Sequence, residues 1–231
     1  MNLAILQARM SSSRLPGKVM APVLGEPMIG RQVERLRRAA RIDQLMVATS
    51  TDSSDDLLAA YVEDLGLPVC RGPLTDVLDR FRQAADSFPQ AQTIVRLTAD
   101  CPLADPALID QVIARHLAAD ADWTSAGMVR SFPHGLDVEA IRPSALRQAA
   151  ERARDPYERE HVTPYINRRP ETYRLESVSR TPSLAHLRWT VDLPEDLEFV
   201  RGVYGKLYPA DPAFTTDAIL ALEPNSAPIP A

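Results

Sequence analysis

The sequence predicts an α/β fold: a mostly parallel sheet with helices on both faces. Two observations carry this. Short apolar runs alternate with segments of helical period, and the first run, Leu3 to Leu6, is continuously apolar, as a strand covered on both faces is. The length agrees with it, since 231 residues suit one large domain or one domain carrying an insertion.

The first strand is expected at Leu3 to Leu6, with comparable runs at Leu45 to Thr49 and Ile94 to Thr98. Between them, Ile29, Val33, Leu36 and Ala40 recur at helical spacing, as do Leu57, Leu58, Tyr61, Val62 and Leu65, and then Val77, Leu78, Phe81 and Ala85. A further helix runs from about Pro106 to Leu117, with Asp105 as N-cap and Leu108, Ile109, Val112 and Ile113 facing inward. From about Trp123 to Arg180 prolines interrupt shorter segments, and this stretch reads as an inserted subregion. Arg188 to Val191 is expected as a returning strand of the main sheet, followed by a helix from Pro194 with Leu197, Val200 and Val203 on one face. The expected organisation is one domain over 1–222 and a flexible tail over 223–231, which is rich in proline.

Composition narrows the class. Hydrophobic residues at 45% and charged residues at 25% exclude a mostly disordered or fibrous chain. Lys and Arg number 26 against 31 Asp and Glu, a net charge of -5, so no global field draws nucleic acid. No apolar run approaches the ~20 residues that span a bilayer, and a cytoplasmic protein without membrane partners is expected. Cys70 and Cys101 form neither a CxxC nor a Cys/His cluster, and read as small apolar filler.

Ligands of open parallel sheets bind beyond the carboxyl ends of the strands, so the residues just after each strand come first. After strand one stands QARMSSSRLPGK, Gln7 to Lys18. Arg9, Arg14 and Lys18 with Ser12 and Ser13 offer charged donors and hydroxyls to a polyphosphate; a solvated basic surface loop has the same composition. The string is not a Walker A loop, which needs glycine at Ser12 and Ser or Thr at Val19, nor a GxGxxG fingerprint. Two further strand ends match one another: Thr98-Ala99-Asp100-Cys101-Pro102 and Thr190-Val191-Asp192-Leu193-Pro194. Facing one crevice, Asp100 and Asp192 make the hard-oxygen environment Mg²⁺ prefers; taken singly, each also suits a turn or helix cap. The interrupted stretch adds FPHGLDVE, with His134, Asp137 and Glu139, and DPYEREHVTPY, with His161, as acceptor-binding candidates. Glu158 reads instead as part of a capping box with Asp155.

Together, QARMSSSRLPGK, TADCPLADP and VDLPEDLE resemble the cytidylyltransferase family that includes CMP-3-deoxy-manno-octulosonate synthetase and acylneuraminate cytidylyltransferase, most closely its spore coat polysaccharide branch. The likeness extends to about Leu222. It implies a nucleotide-diphosphosugar-transferase-like Rossmann fold, a homodimer, and transfer of CMP from CTP to the hydroxyl of an acidic sugar with release of pyrophosphate. It places the family's nucleotide loop on Ala8, Arg9, Ser12, Ser13, Arg14 and Lys18, and its metal aspartates on Asp100 and Asp192. GLDVE and EHVTPY depart from the octulosonate enzymes, and Thr98-Ala99 replaces their glutamine-glycine before the metal aspartate. In-line attack on the α-phosphorus gathers charge on equatorial oxygens and pyrophosphate, which Mg²⁺ on Asp100 and Asp192, together with Arg9, Arg14 and Lys18, would neutralise. Two other readings are a glycosyltransferase of similar fold, which usually needs a DxD motif at a strand end, and a non-catalytic nucleotide-binding subunit. The nearest DxD here is Asp120-Ala121-Asp122, before a strand.

Overall fold

The computed structural model describes residues 1–224, 226 and 227. β1 (Asn2–Gln7) leads through a basic loop and the short ribbon β2 (Pro22–Val23) and β3 (Glu26–Pro27) to α1 (Met28–Leu36). β4 (Gln44–Ser50), α2 (Asp56–Asp64), β5 (Val69–Gly72), α3 (Val77–Asp86), β6 (Thr93–Thr98) and α4 (Pro106–Ala118) follow. Then come β7 (Trp123–Ser125), β8 (Glu139–Ile141), α5 (Pro143–Arg152), α6 (Pro156–His161), α7 (Pro164–Asn167) and β9 (Leu175–Ser177). α8 (Pro194–Leu207) and α9 (Thr216–Leu220) complete the order. No helix among the described residues is long and apolar enough to cross a membrane.

The main sheet has seven strands in the order β5-β4-β1-β6-β8-β7-β9, and β8 alone runs against its neighbours. The chain proceeds outward from β1 to β4 and β5, then returns to place β6 on the other side of β1. That reversal opens a crevice at the carboxyl ends of β1 and β6, where parallel sheets bind ligands. Alternation along β1 sends Ala4 and Leu6 into one core and Leu3 and Ile5 into the other. The first core holds Val33 and Leu36 of α1, Val112 and Ile113 of α4, and Val200 of α8; the second holds Leu78 and Phe81 of α3 and Leu146 of α5.

The interrupted stretch 123–180 continues this sheet beyond β6, with α5 and α7 packed on the second core. Pro143, Pro156 and Pro164 open helices at their first turn, where the missing N–H has no partner to lose.

One expectation is corrected. Arg188 to Val191 does not rejoin the sheet: its alternation is real, with Trp189 and Val191 fully buried, but the backbone partners of Trp189 and Val191 N–H, His134 and Asp100, lie outside the strands. Trp189 N–H donates to His134 O at 2.6 Å and Val191 N–H to Asp100 O at 2.8 Å, so the segment lies across the strand ends. Of the segment expected as a tail, 223–231, residues 223, 226 and 227 make contacts with the domain. Ala227 N–H donates to Arg188 O at 3.0 Å, Arg188 N–H donates to Ser226 Oγ at 2.8 Å, and Lys206 Nζ donates to Glu223 O at 3.2 Å. Residues 225 and 228–231 lie outside the described residues.

Candidate active site

The loop leaving β1 is anchored at both ends. Ala8 N–H still donates to Ala48 O of β4 at 3.1 Å, and Met10 N–H donates to the buried Asp55 carboxylate at 2.7 Å. Asp55 also accepts from Ser50 N–H at 3.1 Å and from the Ser50 hydroxyl, so one carboxylate joins the end of β4 to the start of the loop. The loop closes where Gly17 N–H reaches Met10 O at 2.8 Å, a turn that places Gly17 at φ +73°.

Lys18 follows, 8% exposed. Its Nζ donates to Val191 O at 2.5 Å and to Asp192 Oδ1 at 3.0 Å, with Asp100 Oδ2 at 3.8 Å. Arg14 reaches the same Asp192 oxygen at 3.0 Å from the solvent side, and Arg188 approaches the other oxygen at 3.4 Å. Arg188 is seated on Asp196, which also takes the N–H groups of Asp192 and Leu193 at 2.8 and 2.9 Å. Burial alone would raise the Asp196 pKa, but Arg188 and these N–H groups hold it below the ordinary value.

These groups face a pocket of about 300 Å³ at the carboxyl ends of β1 and β6. Ala8, Arg9, Ser12, Ser13, Arg14, Lys18, Asp100 and Asp192 all line it, as does His161, whose ring lies 4.3 Å from that of Tyr157. Among the described residues Arg9 makes no ion pair, which leaves its charge available to an anion. Ser12 is partly spent inside the loop, since its Oγ accepts from Leu15 N–H at 3.4 Å.

A second pocket of about 250 Å³ adjoins the first, and both are walled by Arg96 and Thr98. Asp137 and Glu139 line it. Asp137 accepts from Arg130 at 2.8 Å and from Gly135 N–H at 3.2 Å. Glu139, 9% exposed, accepts from Arg96 NH1 at 2.5 Å, Trp123 Nε1 at 3.1 Å and Thr163 Oγ1 at 2.7 Å. His134, expected beside them, lines neither pocket: its backbone pairs with Leu187 and Trp189 and its ring is exposed. Partial burial and the nearby Arg130 push its pKa down. The four acceptor candidates therefore do not share one space.

The family model for cytidylyltransferases matches residues 3–206. The chain belongs to the cytidylyltransferase family. It is 35% identical over 215 residues to the spore coat polysaccharide biosynthesis protein SpsF of Bacillus subtilis, covering 88% of this chain and 86% of that protein. A cytidylyltransferase structure from Leptospira borgpetersenii superposes with a TM-score of 0.90 at 30% identity, covering 97% of this chain and 94% of that one. CMP:2-keto-3-deoxy-manno-octonic acid synthetase complexed with CTP superposes with a TM-score of 0.65 at 18% identity, over 89% of this chain and 98% of that one, which shows a common fold.

Three residues of this cytidylyltransferase escaped sequence reasoning. Asp55 and Asp196 look like ordinary helix-start acids, and their work as anchors depends on donors from other elements. Arg96 sits within a predicted strand, between Val95 and Leu97, and no local pattern singles it out. Its pairing with Glu139 follows from the β6–β8 register, which local sequence does not disclose.

Proposed function

We propose that this cytidylyltransferase moves CMP from CTP to a hydroxyl of a sugar, releasing pyrophosphate, in the assembly of a surface polysaccharide such as a spore coat. The observation that carries the reading is the pair of joined pockets: one lined by Arg9, Arg14 and Lys18 and flanked by Asp100 and Asp192, the other lined by polar groups and Trp123. Arg9, Arg14 and Lys18 would hold the β- and γ-phosphates and stabilise the departing pyrophosphate.

Asp100 and Asp192 fit a Mg²⁺ ion, since both present hard oxygens to one point and the Asp100 side chain is 33% exposed. Among the described residues no group of three or more His, Cys, Asp or Glu could hold a metal, so phosphate oxygens and water would complete the shell. Bound there, Mg²⁺ would supply positive charge to the phosphate oxygens. Without it, Lys18 balances the two carboxylates, and Asp192 aims Lys18 and Arg14 into the pocket.

The acceptor expected from the resemblance is an acidic sugar. Arg130 offers it a cation at little cost, because its pair with Asp137 is 34% and 39% exposed and such pairs contribute about 0–1 kcal/mol. The glycosyltransferase reading loses its metal motif: Asp120 and Asp122 lie at the amino end of β7, away from the pockets, and are engaged by Arg142 at contacts that include 2.9 Å to Asp122. A cytoplasmic homodimer completes the proposal, and light scattering tests the dimer. The deciding assay follows pyrophosphate release from CTP, ATP, GTP and UTP with a panel of acidic and neutral sugars. Release that depends on CTP and a sugar supports the reading; a nucleoside diphosphate released from a nucleotide sugar would replace it with the glycosyltransferase.

A further inference from the structure

We propose that Arg96 is a catalytic residue that donates to the α-phosphate at the point where the two pockets meet; the proposal rests on the CTP reading above. Arg96 and Thr98 are the residues common to both walls. The α-phosphorus is the one atom that must be reached from both sides, by the triphosphate in the first pocket and by the attacking hydroxyl in the second. A group on the shared wall therefore faces it.

The guanidinium is held ready for this. Arg96 lies in β6 between the buried Val95 and Leu97, directly opposite Glu139 in the β6–β8 register. Glu139 fixes NH1 at 2.5 Å and is itself held by Trp123 and Thr163, so its oxygens are occupied and it is a positioning residue for Arg96. The Nε of Arg96 is buried without a hydrogen-bond partner, and among the described residues NH1 alone is bonded, so NH2 keeps its donor capacity. Phe81 lies 6.0 Å from the guanidinium carbon, giving the cation an aromatic neighbour. A cation whose one ion pair among the described residues is a preset strut, and whose NH2 is unspent on the wall shared by two cavities, suits an oxyanion. In the step served, the bond from the acceptor oxygen to the α-phosphorus forms as the α–β bridging P–O bond breaks. The electron pair leaves on pyrophosphate and the hydroxyl proton passes to water, while Arg96 meets the charge on a non-bridging α-oxygen.

The test needs no knowledge of the acceptor. Wild type, Arg96→Gln and Arg96→Lys are titrated calorimetrically with cytidine, CMP and CTP at fixed ionic strength. The expected result is that Arg96→Gln weakens CMP and CTP alike by about ten- to a hundredfold and leaves cytidine within about twofold, with Arg96→Lys intermediate. Equal loss for cytidine would make Arg96 structural, loss for CTP alone would move it to the β- or γ-phosphate, and no loss would remove it from the site; each overturns the proposal. Should Arg96→Gln fail to fold, as far-ultraviolet dichroism would reveal, the charge-conserving lysine variant carries the same comparison. A wild type that binds none of the three overturns the nucleotide reading itself, which separates that failure from this one.

Discussion

Lys18 is the residue on which the cationic pocket turns, because one ammonium touches Val191, Asp192 and Asp100. A charge-assisted hydrogen bond contributes about 1.5–3 kcal/mol, so Lys18→Ala should weaken CTP binding about ten- to a hundredfold. CMP, lacking the β- and γ-phosphates, should lose much less. Equal losses in a titration of both nucleotides would place Lys18 near the base or the α-phosphate. Asp100→Asn and Asp192→Asn should each abolish most turnover under saturating Mg²⁺ while circular dichroism stays native; near-normal turnover in either would remove the paired-aspartate site. Cys101→Ser should turn over nearly normally. Burial, reinforced by Asp100, pushes that thiol up, and serine can replace its donation to Asp100 Oδ1 at 3.3 Å. Charge-bearing loop residues were readable from sequence because their types alone suit a polyphosphate. Arg96, Asp55 and Asp196 were not, since each acquires its role from a partner on another element.

Among the elements, α4 carries a pH dependence of its own. His116 on its last turn is 4% exposed, its Nδ1 lies 3.1 Å from Thr124 Oγ1, and burial, helped by Arg142, pushes its pKa down to about 4. Unfolded, the ring titrates near its model value of 6.5, so between those values the unfolded chain binds a proton that the folded chain refuses. The stability in question is present in full above about pH 6.5 and is lost progressively as the pH falls towards 4, about 3 kcal/mol in all. Chemical denaturation of wild type and His116→Gln at pH 7 and pH 4.5 should show the steeper loss in wild type; parallel losses would acquit His116. The helices and the three long strands were legible because burial on one stripe or on both faces leaves a period in the sequence. The segment 188–191 shows the limit of that signal: alternation reports that alternate side chains are buried, and a loop laid across strand ends buries them as well as a sheet does.

At the scale of the whole molecule, the site depends on the sheet being joined to the segment that crosses its end. Gly135 marks that junction. It sits at φ +106°, and a Cβ there would meet Thr190 N at 2.6 Å and the Trp189 carbonyl carbon at 2.6 Å, backbone atoms that cannot swing aside. Gly135→Ala should destabilise the fold by about 1–3 kcal/mol, a fall of roughly 3–10 °C in Tm by scanning calorimetry. It should also weaken CTP binding, because Thr190 leads directly to Asp192. An unchanged Tm would mean that the two segments separate at no cost. Sequence patterns gave no hint of this junction, which joins residues far apart in the chain.

β1 lies at the centre of the sheet, yet it emerges from the ribosome before either of its neighbours. Gln7 pairs with Thr98, 91 residues later, so at about 5–20 residues per second the Leu3 to Leu6 run waits roughly 5–20 s for its second flank. During synthesis that strand is an unpaired apolar edge, open to chaperones and to other nascent chains alike.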